Sequence, residues 1–91
     1  IDQDSLGEAA HKVMEQDNVL YYMRHLTGNR IAVAALNSGE TSKTISLPLL
    51  KLGISGRRTV RDVWRHSLHR TNRLKGVLKP HETMVVVIHS N

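Results

Sequence analysis

The chain has 91 residues, no cysteine and a formal net charge of +5. This length allows one domain with a thin core, because a small domain buries only about 60 to 65% of its unfolded surface. The composition excludes disulfides, thiolate chemistry and a transmembrane run of about 20 apolar residues.

The first ten residues follow neither a helical nor a strand period. Asp2, Asp4, Ser5 and Gly7 suit a loop or linker, and the segment lacks the apolar run of a signal peptide. The chain also begins with Ile1 rather than Met, which indicates a fragment of a longer protein. We therefore expect residues 1–10 to be the join to a missing domain and residues 11–91 to form the folded domain.

The next segments predict a hairpin. Residues 19–26 alternate in the manner of a strand, and residues 31–36 follow after the turn Thr27-Gly28-Asn29. The second of these strands is apolar on both faces, which is typical of a central strand, covered by neighbours on both sides.

Turn residues then separate shorter elements. Asn37-Ser38-Gly39-Glu40 predicts a turn, residues 43–47 alternate as a strand, and Pro48 ends that strand because it lacks a backbone N–H. Residues 49–53 (LLKLG) are too few for a stable α-helix, so we expect one helical turn or an irregular loop closed by Gly53.

The last third of the chain predicts more strands. Residues 57–64 alternate, residues 66–70 look like a polar loop, residues 74–78 form a brief strand, and residues 83–89 are apolar on both faces, as in a second central strand. The sum is about seven or eight strands, the number expected of an all-β, antiparallel two-sheet β-sandwich with Greek-key connections.

Four segments match a known family in order and spacing. They are Ile1–Gly7 (IDQDSLG), Arg30–Asn37 (RIAVAALN), Val60–Trp64 (VRDVW) and Leu78–Glu82 (LKPHE). Through them the chain resembles, over essentially its whole length, the C-terminal domain of family 27 glycoside hydrolases, the α-galactosidase (melibiase) and α-N-acetylgalactosaminidase group. Ser5 and Glu82 stand where that family more often has Pro and Gly, and both are loop substitutions.

The resemblance implies a β-sandwich packed against a (β/α)₈ catalytic barrel that hydrolyses terminal α-galactosides with retention. It also implies that the aspartate nucleophile and the aspartate acid/base both lie in that barrel, so no catalytic residue is expected in this chain. A retaining glycosidase needs two carboxyl groups about 5 to 5.5 Å apart on opposite sides of the scissile bond. Asp2 and Asp4 share one short segment, which favours turn formation over catalysis.

The histidines do not form a metal motif. His66 and His69 are three residues apart in a predicted loop, whereas zinc-binding pairs on a helix are four apart with Glu after the first. We expect no metal and no cofactor. For His81, which follows Pro80, we expect a side chain that bonds the backbone of its own turn.

The aromatic residues are the candidate contact residues. Trp64, the only tryptophan, suits either a ring in the core or at a domain interface, or a sugar-stacking platform; burial is favoured because the chain has no Phe. Tyr21 and Tyr22 point to opposite faces of one strand, so one should be in the core and the other should face solvent or the missing barrel. Tyr22 and Leu26 are candidates for the interface.

Eight Lys/Arg and one acid, Asp62, lie between Arg57 and Lys79. Strand alternation should divide these charges between the two faces of a sheet. Proteins that bind single-stranded nucleic acid also place aromatic residues among their basic ones, and this region has only Trp64. Solvated surface charge is therefore favoured, and neither nucleic acid nor a membrane is an expected partner.

The sequence thus predicts a non-catalytic accessory domain whose partner is its own catalytic barrel. A carbohydrate-binding module that targets the enzyme to polysaccharide is the alternative, and a contact between copies is also open. The lack of cysteine leans towards a cytoplasmic or bacterial source, and the compartment stays open between cytoplasmic and secreted.

Overall fold

The alternating segments form eight β-strands in the structure, a computed structural model that describes residues 10–89. The strands are β1 (His11–Gln16), β2 (Val19–Leu26), β3 (Arg30–Asn37), β4 (Lys43–Pro48), β5 (Arg58–Asp62), β6 (Ser67–Thr71), β7 (Arg73–Leu78) and β8 (Thr83–Ile88). One 3₁₀ turn, Leu49–Leu52, follows β4.

The strands form two antiparallel sheets of unequal size. The larger sheet has the order β1-β2-β3-β8-β5-β6, and the smaller one consists of β4 and β7. The prediction of an all-β, two-sheet sandwich is confirmed, and β3 and β8 are central strands as expected. The Greek-key arrangement of the connections stays a prediction.

The core lies between the two sheets. On β2 and β3 every second residue points inward, so Tyr21 pairs with Ala35 and Met23 with Val33. All strands except the two edge strands β1 and β6 contribute fully buried apolar residues. The buried core residues are Val19, Tyr21, Met23, Val33, Ala35, Ile45, Leu47, Leu49, Leu52, Ile54, Val60, Leu74, Leu78, Met84, Val86 and Ile88.

One local feature matches its sequence signal, and a second one is a matter of packing. The segment Leu49–Leu52 makes the predicted single helical turn, and Gly53 closes it with a φ of 82°, a backbone conformation that favours glycine. Gly76, on the inner face of β7, leaves room for Met84, since a Cβ at this position would lie 3.0 Å from the Met84 sulfur. A larger residue at this position would therefore force Met84 to move.

One expectation is wrong and another lies outside the described residues. The predicted loop over residues 66–70 is wrong, because Ser67–Thr71 form β6, paired with β5. The predicted join over residues 1–10 lies outside the described residues apart from Ala10, which is exposed. Within residues 10–89 the longest helical segment has four residues, so this part of the chain offers no helix that could span a membrane.

Candidate functional site

The face of the six-stranded sheet that points away from β4 and β7 carries a band of apolar side chains across its three adjacent strands β2, β3 and β8. We call this band the outer apolar face. Tyr22, Ala34 and Val85 form one cross-strand row, and Leu20 pairs with Leu36 in the row beside it. Its members are Leu20, Tyr22, Leu26, Ala32, Ala34, Leu36, Val85 and Val87, so Leu26 lies on the same face as Tyr22.

Charged residues surround this face. Ala32 and Val87 form another cross-strand row, in which Arg24 pairs with Ala32 and Arg61 pairs with Val87, so a cation lies at each end of this row. On the edge strand β1, Lys12 lies opposite Tyr22, and its Nζ contacts the Glu15 carboxylate at 3.0 Å. That hydrogen bond, together with the charge of Glu15, raises the pKa of Lys12. The outer apolar face therefore has the layout of an interface, with an apolar centre and a charged rim.

The two tyrosines of β2 divide as predicted. Tyr21 is 4% exposed and lies in the core, where burial, with a smaller contribution from Asp17, raises the pKa of its hydroxyl. Tyr22 is half-buried and lies on the outer apolar face. Tyr22 therefore lies on the face of β2 opposite the core, as alternation predicts, and its role as a contact residue stays a prediction.

Trp64 lies at the tip of the turn between β5 and β6, and it is 69% exposed. Asp62 organises this turn: its Oδ1 accepts the backbone N–H groups of Trp64 at 2.9 Å and Arg65 at 3.0 Å. The His66 N–H donates to the Asp62 carbonyl, and His66 adopts a φ of 56°. The prediction that Trp64 lies in the core is therefore wrong. The other two roles predicted for it, a contact at a domain interface and a contact with a sugar, stay predictions.

Two of the histidines, His66 and His81, lie in turns. The Nε2 of His81 contacts the Glu40 carboxylate at 3.2 Å, so the predicted bond to its own turn backbone is wrong. Glu82 fills that role instead, because its Oε1 accepts the Lys79 N–H at 2.7 Å. Across residues 10–89 no three metal-ligating side chains gather, and His66 and His69 have no third partner for a metal there.

The basic residues of the strands are divided between faces, as alternation predicts. Arg61 and Arg70 lie on the outer face of the six-stranded sheet, whereas Arg73 and Lys75 lie on the outer face of the smaller sheet. A cleft between β6 and β7 is lined by Val60, Ser67, His69, Thr71, Leu74 and Met84, among others. The cleft has a volume of about 320 Å³ and is called the β6–β7 cleft below.

Comparison with known families decides the relationship. Residues 16–88 match the family described as the alpha galactosidase C-terminal beta sandwich domain, which spans all of β2 to β8. The chain belongs to this family. It is thus a C-terminal accessory domain of the α-galactosidase type, and the resemblance seen in its sequence is confirmed.

Individual proteins of known sequence show the same relationship. This chain is 27% identical to an alpha-galactosidase of Coffea arabica, and the match covers 97% of this chain. It is 29% identical to an alpha-galactosidase of Oryza sativa subsp. japonica, and that match covers all of this chain. It spans 24% and 22% of those two proteins, about a quarter of their length.

Solved structures share the fold at lower identity. Alpha-galactosidase I of Mortierella vinacea superimposes with a TM-score of 0.82 at 18% identity, covering 94% of this chain and 24% of that one. A family 27 β-L-arabinopyranosidase of Geobacillus stearothermophilus gives a TM-score of 0.80 at 21% identity, covering 91% and 20%. Both superpositions show that this chain shares its β-sandwich fold with those structures.

Proposed function

We propose that this domain packs against and stabilises a (β/α)₈ catalytic domain, using the outer apolar face as the contact surface. The parent reaction that we propose is hydrolysis of terminal α-galactosides with retention, through a covalent intermediate on a barrel carboxylate. The domain itself would contribute no catalytic residue, and its role would be to cover part of the barrel.

One observation supports this role above the others: the outer apolar face. The outer side of a sandwich sheet normally alternates to polar residues, because it meets water. Here the second face of β2, β3 and β8 carries eight apolar side chains, and most of them are half-buried in the isolated domain. Apolar surface of this kind on a small domain marks a contact site.

The proposal is tested by a charge placed at the centre of the outer apolar face. Ala34→Glu should cost less than about 1 kcal/mol in the isolated chain, where the new carboxylate reaches water. In the full-length parent the same carboxylate would be buried and unpaired, which should cost more than about 2 kcal/mol. Denaturant unfolding of both proteins, with activity on an aryl α-galactoside for the parent, measures the difference.

The matched control is Thr44→Glu, which places the same charge on the exposed side of β4 in the smaller sheet. This variant should behave alike in the isolated chain and in the parent. Equal losses for Ala34→Glu in the two proteins would rule out the outer apolar face as the contact surface.

A carbohydrate-binding module is the second candidate, and the exposure of Trp64 favours it specifically. The turn that Asp62 organises holds the indole in solvent, and exposed aromatic rings can stack on sugars. The two functions differ in what covers Trp64, either a sugar or the catalytic domain.

Fluorescence separates these two candidates, because Trp64 is the only tryptophan in the chain. For a module, galactose or galactomannan oligosaccharides should shift its emission in the isolated chain. For an interface residue, the isolated chain should give no response. A saturable emission shift with a neutral galactan would favour the module and remove Trp64 from the proposed interface.

A further inference from the structure

The turn that carries Trp64 forms one wall of a groove at the end of the sandwich. The turn between β7 and β8, which carries Glu82, forms the other wall, and Val77 also lines the groove. Leu78 and Met84, which are buried in the core, lie at its base. The groove has a volume of about 340 Å³ and is called the Trp64 groove below. None of the eight residues of the outer apolar face lines it.

Two exposed apolar side chains give this groove a contact surface. Trp64 is 69% exposed and Val77 is 53% exposed. Burying a large apolar side chain is worth about 1.5–3 kcal/mol, so two of them left in water at one groove offer free energy to a ligand that covers them. An indole beside an aliphatic side chain suits a ligand ring that has an apolar face.

Hydrogen bonds hold both walls of the groove in place. In the first turn Asp62 accepts three backbone N–H groups, two at its carboxylate and one at its carbonyl. In the second turn the Glu82 carboxylate accepts the Lys79 N–H at 2.7 Å, and the Glu82 carbonyl accepts the Asn37 N–H at 3.0 Å. A ligand therefore does not have to order these turns, which lowers the entropic cost of binding.

Polar groups that can bond a ligand lie beside the two apolar side chains. One carboxylate oxygen of Glu82 bonds the Lys79 N–H, and the other makes no hydrogen bond within residues 10–89. The Thr83 hydroxyl and the Arg65 guanidinium are exposed, and neither bonds another group in that range. An apolar surface with a few such donors and acceptors is the usual composition of a small-molecule site.

The charges of the lining disfavour an anionic ligand. Two carboxylates, those of Asp62 and Glu82, stand against the single cation Arg65, so the groove is acidic although the chain has a net charge of +5. Like charges brought together at a binding site are repelled. A nucleic acid would also need several aromatic rings for its successive bases, whereas this groove has only Trp64. The lining therefore suits a neutral ligand.

We propose that the Trp64 groove binds a neutral saccharide. One sugar ring packs its C–H face on the indole, and its hydroxyls bond the side chains of Glu82, Thr83 and Arg65. Small-molecule sites run from about 300 to 1,000 Å³, so this groove accepts a short saccharide segment. The choice of a saccharide among neutral ligands rests on the second candidate function, the carbohydrate-binding module, and the groove adds where the sugar lies and which groups bond it.

The test compares neutral and charged saccharides of similar length. A galactomannan oligosaccharide and an oligogalacturonate are titrated separately into the ¹⁵N-labelled 91-residue chain. The neutral ligand should shift the indole N–H resonance of Trp64 and the backbone amides of residues 62–66 and 81–84, and it should leave those of β1 unchanged. Oligogalacturonate should bind at least about tenfold more weakly, because its carboxylates meet the acidic lining.

Two matched pairs of variants locate the bound sugar. Trp64→Ala removes the stacking surface and should weaken galactomannan binding at least about tenfold. Leu68→Ala removes a similarly exposed apolar side chain from β6, outside the groove, and should change the affinity less than about twofold. Glu82→Gln keeps an oxygen for the Lys79 N–H but loses the charge, so it should weaken binding about threefold or more. Its control is Glu15→Gln on β1, with less than about a twofold effect.

Three outcomes would overturn the inference. If Trp64→Ala and Leu68→Ala weaken galactomannan binding equally, the sugar binds elsewhere on the chain, and only the groove is rejected. If the galactomannan oligosaccharide does not bind, the module is rejected together with the groove. Tighter binding of oligogalacturonate would reject a neutral ligand. Barrel packing is tested separately by Ala34→Glu, which lies outside the groove, and circular dichroism checks that every variant is folded.

Discussion

Asn37, at the end of β3, is the one fully buried polar side chain among the described residues. Its Nδ2 donates to the carbonyls of Thr41 at 2.8 Å, Leu78 at 3.1 Å and Lys79 at 3.2 Å, and its Oδ1 accepts the Gly39 N–H at 3.0 Å. One side chain thus joins the turn after β3 to the end of β7 in the other sheet. Buried polar groups of this kind are stabilising only while every partner is satisfied.

Replacing this residue should therefore be costly. Asn37→Ala removes the amide donor from three carbonyls, of which that of Leu78 is buried, and should lower the free energy of unfolding by about 2–3 kcal/mol. Equilibrium urea denaturation measures this loss. Asn72→Ala, at an exposed position between β6 and β7, is the control and should stay within about 0.5 kcal/mol of the wild type. A loss for Asn37→Ala no larger than that of the control would show that the amide network contributes little.

At the scale of the elements, the sequence predicts the central strands well and the edges poorly. Strand β2 alternates between a buried and a half-buried face, whereas β3 and β8 are short apolar runs bounded by turn residues, and both patterns predict strands. Edge strand β6 (SLHRT) has one apolar residue, Leu68, and that residue is 63% exposed. Without a buried face there is no periodicity to read, so β6 looks like a loop.

The other edge strand offers a signal of a different kind. Strand β1 is mostly exposed, but it is joined to β2 by the two-residue turn Asp17-Asn18, in which both residues have positive φ, 54° and 65°. Asp and Asn tolerate this conformation, which matches the twist of a tight hairpin. Turn chemistry therefore identifies β1 where hydrophobic alternation does not.

The candidate contact residues also differ in how well the sequence predicts their positions. Tyr22 could be placed on the outer face by alternation along β2, because that strand also has an inner face in the core. The exposure of Trp64 could not be predicted from its hydrophobicity, since it depends on the two hydrogen bonds that Asp62 makes to the turn. The β6–β7 cleft depends on how many strands each sheet has, which is a property of pairing and not of any local segment.

At the scale of the whole molecule, the unequal sheets should produce unequal local stability. Strands β3 and β8 are paired on both sides and covered by the core, whereas β6 is paired only with β5 and has no opposing strand. Local opening costs least where few apolar contacts and few paired neighbours must be lost. The β6–β7 cleft therefore lies against the least protected part of the larger sheet.

Native-state hydrogen exchange tests this expectation strand by strand. The paired amides of β3 and β8 should exchange slowest, with free energies of opening near that of global unfolding, and those of β6 should exchange at least about tenfold faster. Protection in β6 equal to that in β3 would mean that the open edge of the sandwich is held by contacts other than strand pairing and core burial.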